Sequence, residues 1–223
     1  MGYGSEPMVE MNVTVSLSME NVIQTFHGVY YSKVTGLTWF GVPVMKCPID
    51  MWIYQELLCR TLPDCIVETG TAFGGSALFM AMVCQFLGRG RVVSVDIKPV
   101  EHRPEHPLIR YLTGSSTDPA IIEEVRQQLQ PGERTMVILD SDHAEDHVAA
   151  ELEAYGALVT PACYLVVEDT NLNGHPVGTA HGPGPWEAVE AWLPKHPEFE
   201  RDDEIEQRHV MTFNPGGYLR RRA

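Results

Sequence analysis

Short, continuously apolar runs alternate with longer segments of helical periodicity through most of the chain. The runs predict β-strands at Cys65–Thr69, 91–97, Ile109–Thr113, 135–140 and 163–168. The longer segments predict helices at 76–87, 119–129, 145–158 and 185–193. Strands that alternate with helices form a parallel sheet, and strands buried on both faces are continuously apolar. The pattern therefore predicts an α/β fold with a doubly wound, mostly parallel, Rossmann-like sheet.

Both ends of the chain depart from this pattern. Near the C-terminus, residues 205–213 and 218–222 predict two strands joined by a turn, which is an antiparallel hairpin and brings the sheet to seven strands. Residues 1–48 mix short apolar pieces with glycine, proline and clustered aromatic residues. We expect them to be an N-terminal extension that acts as a lid or a subunit contact. Residues 49–223 are then the main domain, which opens with a helix capped by Asp50.

A glycine-rich turn follows the first predicted strand, which ends at Glu68. In α/β sheets such a turn lets the backbone approach a nucleoside, and an acid at the end of the second strand, here Asp96, binds the ribose. A nicotinamide site would need G-x-G-x-x-G, but Ala72 replaces the second glycine, and Glu68 would repel a pyrophosphate. Both features favour the cationic cofactor S-adenosylmethionine, with a nicotinamide cofactor as the alternative. The expected cofactor residues are Glu68, Gly70, Thr71, Gly74, Ser76, Asp96, Ser116 and Asp140.

Two further predicted strands end in clustered acids. Asp140 and Asp142 follow the fourth strand, Glu168 and Asp169 follow the fifth, and neither run contains a lysine or arginine. Because buried, unpaired carboxylates are costly, the cluster indicates a divalent cation, and oxygen ligands favour Mg²⁺, Ca²⁺ or Mn²⁺.

The histidines beside these acids have two interpretations. His143 is a candidate general base, because histidine titrates near neutral pH. The alternative is an iron site made by Asp142, His143 and His147, whose two histidines have i, i+4 spacing. That spacing also occurs by chance on solvated helices.

Composition narrows the choice of partners. Sixteen basic against thirty acidic residues give a net charge of −14, which argues against nucleic acid and anionic membranes. The five cysteines form no C-x-x-C pair and are expected to be small buried hydrophobes in a reducing compartment. No basic region followed by an apolar stretch opens the chain, so we expect no signal peptide and a cytoplasmic protein.

Five stretches carry a resemblance to a known family: residues 39–43, 46–52, 66–76, 139–143 and 167–171. In them the chain resembles the rhamnosyl O-methyltransferases and the related cephalosporin hydroxylase. The resemblance implies a class I methyltransferase fold that ends in an antiparallel hairpin, S-adenosylmethionine as cofactor, and often a divalent metal. It places metal ligation on Asp142, Glu168 and Asp169. A more distant similarity to catechol-type enzymes would use Asp140 instead.

Together these features predict a metal-assisted, S-adenosylmethionine-dependent O-methyltransferase with Mg²⁺. Its expected substrate is a hydroxyl of a small or glycosylated metabolite, such as a glycoside or an antibiotic precursor. A homo-oligomer is expected because apolar residues crowd the N-terminal segment. The alternative function is a nicotinamide-dependent oxidoreductase or hydroxylase component on a Rossmann-like fold, and a third possibility is a non-catalytic partner subunit that retains the fold.

Overall fold

The computed structural model describes residues 18–223 and has two β-sheets. A small hairpin pairs β1 (Thr38–Trp39) with β2 (Val42–Pro43). The central sheet contains β3 (Cys65–Thr69), β4 (Arg91–Asp96), β5 (Ile109–Thr113), β6 (Thr135–Leu139), β7 (Tyr164–Val167), β8 (Phe199–Arg201) and β9 (Tyr218–Arg221). Its order is β5-β4-β3-β6-β7-β9-β8, in which β9 runs antiparallel to both β7 and β8. This confirms the predicted seven-stranded, doubly wound sheet with an antiparallel end.

Seven α-helices accompany the strands in the described part of the chain. They are α1 (Met19–Tyr30), α2 (Pro48–Thr61), α3 (Gly75–Leu87), α4 (Pro119–Gln128), α5 (Glu145–Gly156), α6 (Pro185–Trp192) and α7 (Asp203–His209). Two short 3₁₀ turns, Tyr31–Gly36 and Leu193–Lys195, extend α1 and α6. Within residues 18–223, we find no helix with both the length and the apolar character that crossing a bilayer requires.

Two cores lie on the two faces of the sheet, because successive side chains of a strand point to opposite faces. Val67 and Val137 belong to one buried cluster, whereas their neighbours Ile66 and Met136 belong to the other. All four are fully buried, which explains the continuously apolar strands in the sequence. All five cysteines are free, and four of them are buried as expected, but Cys59 is exposed.

The C-terminal hairpin has a different first strand from the predicted one. Residues 205–213 do not form a strand: they include most of α7, and β8 at Phe199–Arg201 pairs with β9 instead. The acidic first turn of α7 favours a helix, because carboxylates interact well with the positive end of the helix dipole. Ile205 is the one residue of α7 that is buried.

Asp50 lies inside α2 and is not its N-cap, which is Cys47. The Asp50 carboxylate is almost completely buried and accepts hydrogen bonds from Thr212 Oγ1 at 2.5 Å and the Phe213 amide at 2.9 Å. Asp50 therefore ties the C-terminal segment to α2. Of the predicted extension, residues 1–17 lie outside the described part, and its role as a lid or subunit contact stays a prediction.

The turn after β3 passes very close to the end of β6. Gly70 has φ +84°, and a Cβ atom there would lie 1.7 Å from the carbonyl oxygen of Asp140. Only glycine fits at this contact, which sets the distance between the glycine-rich turn and the acidic strand end.

We predict that Gly70→Ala destabilises the fold far more than Gly132→Ala. Gly132 has a similar φ of +85° but open space around it, so its variant reports only the cost of the left-handed backbone. The steric clash at Gly70 should add about 1–3 kcal/mol. Urea unfolding of both variants measures the difference, and equal losses would contradict the close-approach argument.

Candidate active site

A cavity of about 320 Å³ opens at the carboxyl ends of β3 and β6. One wall is the glycine-rich turn, including Gly70, Thr71 and Ser76. A second wall carries Asp140, His143 and Asp169 from the ends of β6 and β7. The third comes from the N-terminal segment and includes Tyr31, Val34, Thr35, Met45 and Lys46. Open α/β sheets bind ligands at this edge, so the cavity is the candidate active site.

A second cavity of about 280 Å³ continues the first one. The two cavities share Gly70, Asp96 and Ser141, and Ser116 lines the second. Asp96 is fixed at the junction, because its Oδ2 accepts from the Ala72 amide at 2.7 Å and its Oδ1 from the Lys98 amide at 2.9 Å. The two cavities thus form one continuous groove with an acid at its centre, as a nucleoside cofactor requires.

Glu68 does not line either cavity. It is fully buried, and its carboxylate accepts hydrogen bonds from Ser76 Oγ and, at 2.6 Å, from Ser94 Oγ. Burial raises the pKa of Glu68, while the charge of Lys46 opposes this rise. Glu68 therefore orients Ser76 from behind the cavity wall. Gly74 also lies outside the lining and is the left-handed N-cap of α3.

Three side chains from the two acidic strand ends converge on one point. Ligand atoms of Asp140, His143 and Asp169 all lie within 4.8 Å of one another. His143 Nε2 is 3.2 Å from Asp169 Oδ2, and Asp169 has the left-handed φ of +54° that turns the chain here. Burial raises the pKa of both carboxyls, whereas His143 lowers it. A cation would stabilise their charged forms.

Asp142 is not part of this convergence. Its side chain is exposed, and its Oδ1 accepts the Ala144 amide at 2.8 Å, which fixes the turn before α5. Asp142 lines the second cavity together with His147. Asp142, His143 and His147, the three residues considered for iron, therefore do not meet at one point, because His147 lines the second cavity and His143 lines the first.

Lys46 is a site residue that the sequence analysis missed. It is 3% exposed, and its Nζ lies 2.5 Å from Asp140 Oδ2 and also contacts Glu168 Oε1. Burial lowers the pKa of Lys46, but the attraction of Asp140 and Glu168 outweighs burial, so its pKa is raised. The carboxylates thus have an internal counter-ion, contrary to the expectation from the two acidic runs.

Glu168 lies deeper than the other acids. Tyr54 also donates a hydrogen bond to its Oε1, so Glu168 is held by two donors and is 5% exposed. Burial and Asp140 raise its pKa, and Lys46 lowers it. The one sequence signal for these two residues is their position. Lys46 is the single basic residue of the 46–52 motif, and Tyr54 follows that motif closely.

The residues present fit a divalent cation. Asp140 and Asp169 offer carboxylate oxygens toward the cavity, which are the ligands that Mg²⁺ prefers. A single ammonium group faces three carboxylates, and burial raises the pKa of each, so an added cation would stabilise their charged forms. Arg103 lies against the glycine-rich turn, but its guanidinium is bound to the Ala72 and Lys98 carbonyls and to Asp96.

The fold and the groove define a class I, S-adenosylmethionine-dependent methyltransferase, and comparison with known proteins agrees. The model of the family described as Rhamnosyl O-methyltransferase/CmcI matches residues 31–222. The rhamnosyl O-methyltransferase of Mycobacterium leprae is 40% identical over 211 residues, which cover 91% of this chain and 92% of that protein. That of Mycobacterium bovis is 39% identical over 207 residues, covering 89% and 84%.

A solved CmcI structure with Mg and SAM is similar to the whole chain, with a TM-score of 0.63 and 19% identity. The match covers 98% of this chain and 90% of that one, and it confirms the fold. The chain belongs to the Rhamnosyl O-methyltransferase/CmcI family. The predicted family and enzyme class are thereby confirmed, and the nicotinamide alternative is not favoured.

We predict that Lys46→Met costs about 3–5 kcal/mol of stability, because it leaves buried carboxylates without their counter-ion. Arg89→Met is the matched control: it breaks the pair with Asp64 at 2.9 Å, which is exposed and worth about 0–1 kcal/mol. Urea unfolding in EDTA measures both. A loss at Lys46 no larger than at Arg89 would show that the buried pair is not needed for the fold.

The pH dependence of the same variant follows from the raised pKa values of Asp140 and Glu168. A carboxyl with a raised folded-state pKa binds its proton more tightly in the folded than in the unfolded protein. The stability that this bound proton contributes is lost as pH rises through the folded-state pKa. Lys46→Met should therefore lose more stability at about pH 8 than at about pH 5, where the acids are closer to neutral.

Proposed function

We propose that this protein transfers a methyl group from S-adenosylmethionine to a sugar hydroxyl of a glycosylated small molecule, with help from a divalent metal. The observation that carries the proposal is the meeting of Asp140, Asp169 and His143 in the wall of the cavity beside the glycine-rich turn. The names of the curated relatives support a rhamnosyl sugar as the acceptor.

The groove suits the proposed cofactor along its length. Gly70, Thr71 and Ser76 would hold the amino-acid end, and Asp96 would accept hydrogen bonds from the ribose hydroxyls. Ser116 and Ser141 in the second cavity would face the adenine. The bound cofactor supplies an electrophilic methyl group on a sulfonium. Glu68 contributes indirectly, by orienting Ser76.

We propose Asp140 and Asp169 as the residues that hold Mg²⁺, with Glu168 completing the negative rim from behind. In this set Asp140 takes the place of the predicted Asp142, whose carboxylate is exposed and accepts a hydrogen bond from the Ala144 amide. Bound at this place, Mg²⁺ would lower the pKa of a coordinating hydroxyl and position it for attack. Lys46 and Tyr54 restrict Glu168 to one orientation, which supports the geometry of the rim.

His143 is the proposed general base. Its Nε2 lies 3.2 Å from Asp169 Oδ2, so the ring is oriented at the edge of the rim, where it can take a proton from the acceptor hydroxyl. Asp169 would then also stabilise the protonated ring. Tyr31, Met45 and Phe213 form an aromatic and apolar wall opposite, which suits the ring of a sugar.

We also propose that the protein is a homo-oligomer, as the sequence analysis expected. The support is a group of exposed aromatic residues, Phe40, Trp52 and Phe86, around an apolar groove formed by α2, α3 and the β1–β2 hairpin. The cytoplasmic location stays a prediction.

The metal ligands are tested by three asparagine variants that keep side-chain size. We predict that Asp140→Asn and Asp169→Asn each weaken Mg²⁺ binding by on the order of 100-fold and reduce turnover in parallel. Asp142→Asn is the matched control and should stay within about threefold of the unmodified protein. Calorimetric titration with Mg²⁺ and release of S-adenosylhomocysteine are the measurements. Strong loss at Asp142 with retention at Asp140 would restore the original assignment.

For His143→Ala, we predict a fall in kcat of about 10²- to 10⁴-fold, the usual contribution of a general base. Affinity for Mg²⁺ and for S-adenosylhomocysteine should change little, because a base is not a ligand. His102→Ala, at an exposed position, is the control. A parallel loss of Mg²⁺ affinity would identify His143 as a metal ligand rather than the base.

A further inference from the structure

A second polar network lies behind the adenine end of the groove, away from the carboxylate rim. It consists of Ser116, Ser141, His147 and Glu151, and the first three line the second cavity. Glu151 on α5 is completely buried, and its Oε2 has no hydrogen-bond partner among the described residues. A buried acid is costly, so its surroundings must supply donors.

The directions of the bonds in this network follow from one fixed donor, the Ser141 hydroxyl. Ser141 Oγ donates to Glu151 Oε1 at 2.7 Å, so its only proton is used. His147 Nε2 lies 3.0 Å from the same Ser141 Oγ, and two acceptors would not face each other at this distance. His147 Nε2 must therefore carry a hydrogen, which it donates to Ser141.

The same nitrogen also orients the third hydroxyl. His147 Nε2 is 3.1 Å from Ser116 Oγ, and because this nitrogen carries a hydrogen and no free lone pair, Ser116 cannot donate to it and can only share that hydrogen as a second acceptor. The Ser116 hydroxyl proton then has no acceptor within the network, because Ser141 Oγ at 3.4 Å is too far for a good O–H···O bond. Tyr155 donates to the backbone carbonyl of Ser116 at 2.8 Å and holds the residue in place. The Ser116 hydroxyl proton is thus free to point into the cavity.

We infer that Glu151 and His147 are positioning residues that make Ser116 a hydrogen-bond donor to a ring nitrogen of the cofactor's adenine, an inference that rests on the proposed function. The adenine ring nitrogens N1, N3 and N7 are acceptors, so they match a hydroxyl donor and would repel a hydroxyl turned the other way. Glu151 raises the pKa of His147, which favours the imidazolium form, in which both ring nitrogens, Nε2 included, carry a hydrogen.

The network explains why a fully buried acid is kept on α5. Without Glu151, Ser141 would no longer be held as a donor to a carboxylate, and the other tautomer of His147, with a lone pair on Nε2, could accept from Ser116. The Ser116 proton would then be used inside the network, and the cavity would face an acceptor. The buried carboxylate therefore controls the hydrogen-bond polarity of a site that it does not touch.

The experiment compares binding of S-adenosylhomocysteine with binding of its 1-deaza, 3-deaza and 7-deaza analogues by calorimetry. In the unmodified protein, one analogue should bind about tenfold more weakly, the loss expected for one hydrogen bond. Ser116→Ala and His147→Leu should bind S-adenosylhomocysteine about tenfold more weakly and no longer distinguish that analogue. His147→Gln, which keeps a side-chain N–H, should restore part of the discrimination, and His102→Leu is the surface control.

Loss of discrimination is the readout that a merely structural role of His147 would not produce, because misfolding weakens all four ligands alike. Uniform weakening in His147→Leu, or an unmodified protein that binds all three analogues as tightly as S-adenosylhomocysteine, would overturn the inference but leave the proposed function standing. An unmodified protein that binds none of the four ligands would overturn both. Thermal unfolding of each variant confirms that it is folded.

Discussion

Buried negative charge at the carboxyl end of the sheet is the constraint on which the rest of the site depends. Asp140, Glu168 and Asp169 are brought there because parallel strands end at one edge, and burial raises the pKa of each. Lys46 partly balances this charge from a segment outside the main domain. One ammonium group faces three acids, and this imbalance supports the proposed cation site.

Close backbone contact connects this rim to the cofactor groove. Gly70 lets the turn after β3 approach the Asp140 carbonyl, so the place for the methyl donor and the acidic strand end become neighbours. Glu68 and Glu151 have comparable roles at the two ends of the groove. Each is fully buried, touches serine hydroxyls and lies behind the wall. Glu68 and Glu151 thus hold hydroxyl groups of the wall from behind, whereas Asp96 and Asp140 face the groove directly.

The N-terminal segment is part of the active site and not an appendage to it. Tyr31 and Lys46 line the cavity, and His27 on α1 is within 3.1 Å of Asn171, just beyond the β7 strand end. Phe213 from the C-terminal segment packs against Phe26 and Tyr31 of the same region. Residues from both ends of the chain therefore reach the cavity, while the glycine-rich turn and the strand ends between them form its other walls.

Local pattern was sufficient to predict the five parallel strands, the glycine-rich turn and the acidic strand ends, because strand periodicity and turn chemistry are properties of neighbouring residues. The tertiary structure alone decided which acids converge. The sequence placed Asp140 at the cofactor and Asp142 at the metal, but the strand end directs Asp140 into the cavity near Asp169, and the turn leaves Asp142 exposed. It also decided that Lys46 joins Asp140 across 94 residues and that Phe199–Arg201 pairs with β9. Contacts between distant segments depend on packing, and no local signal in the chain encodes them.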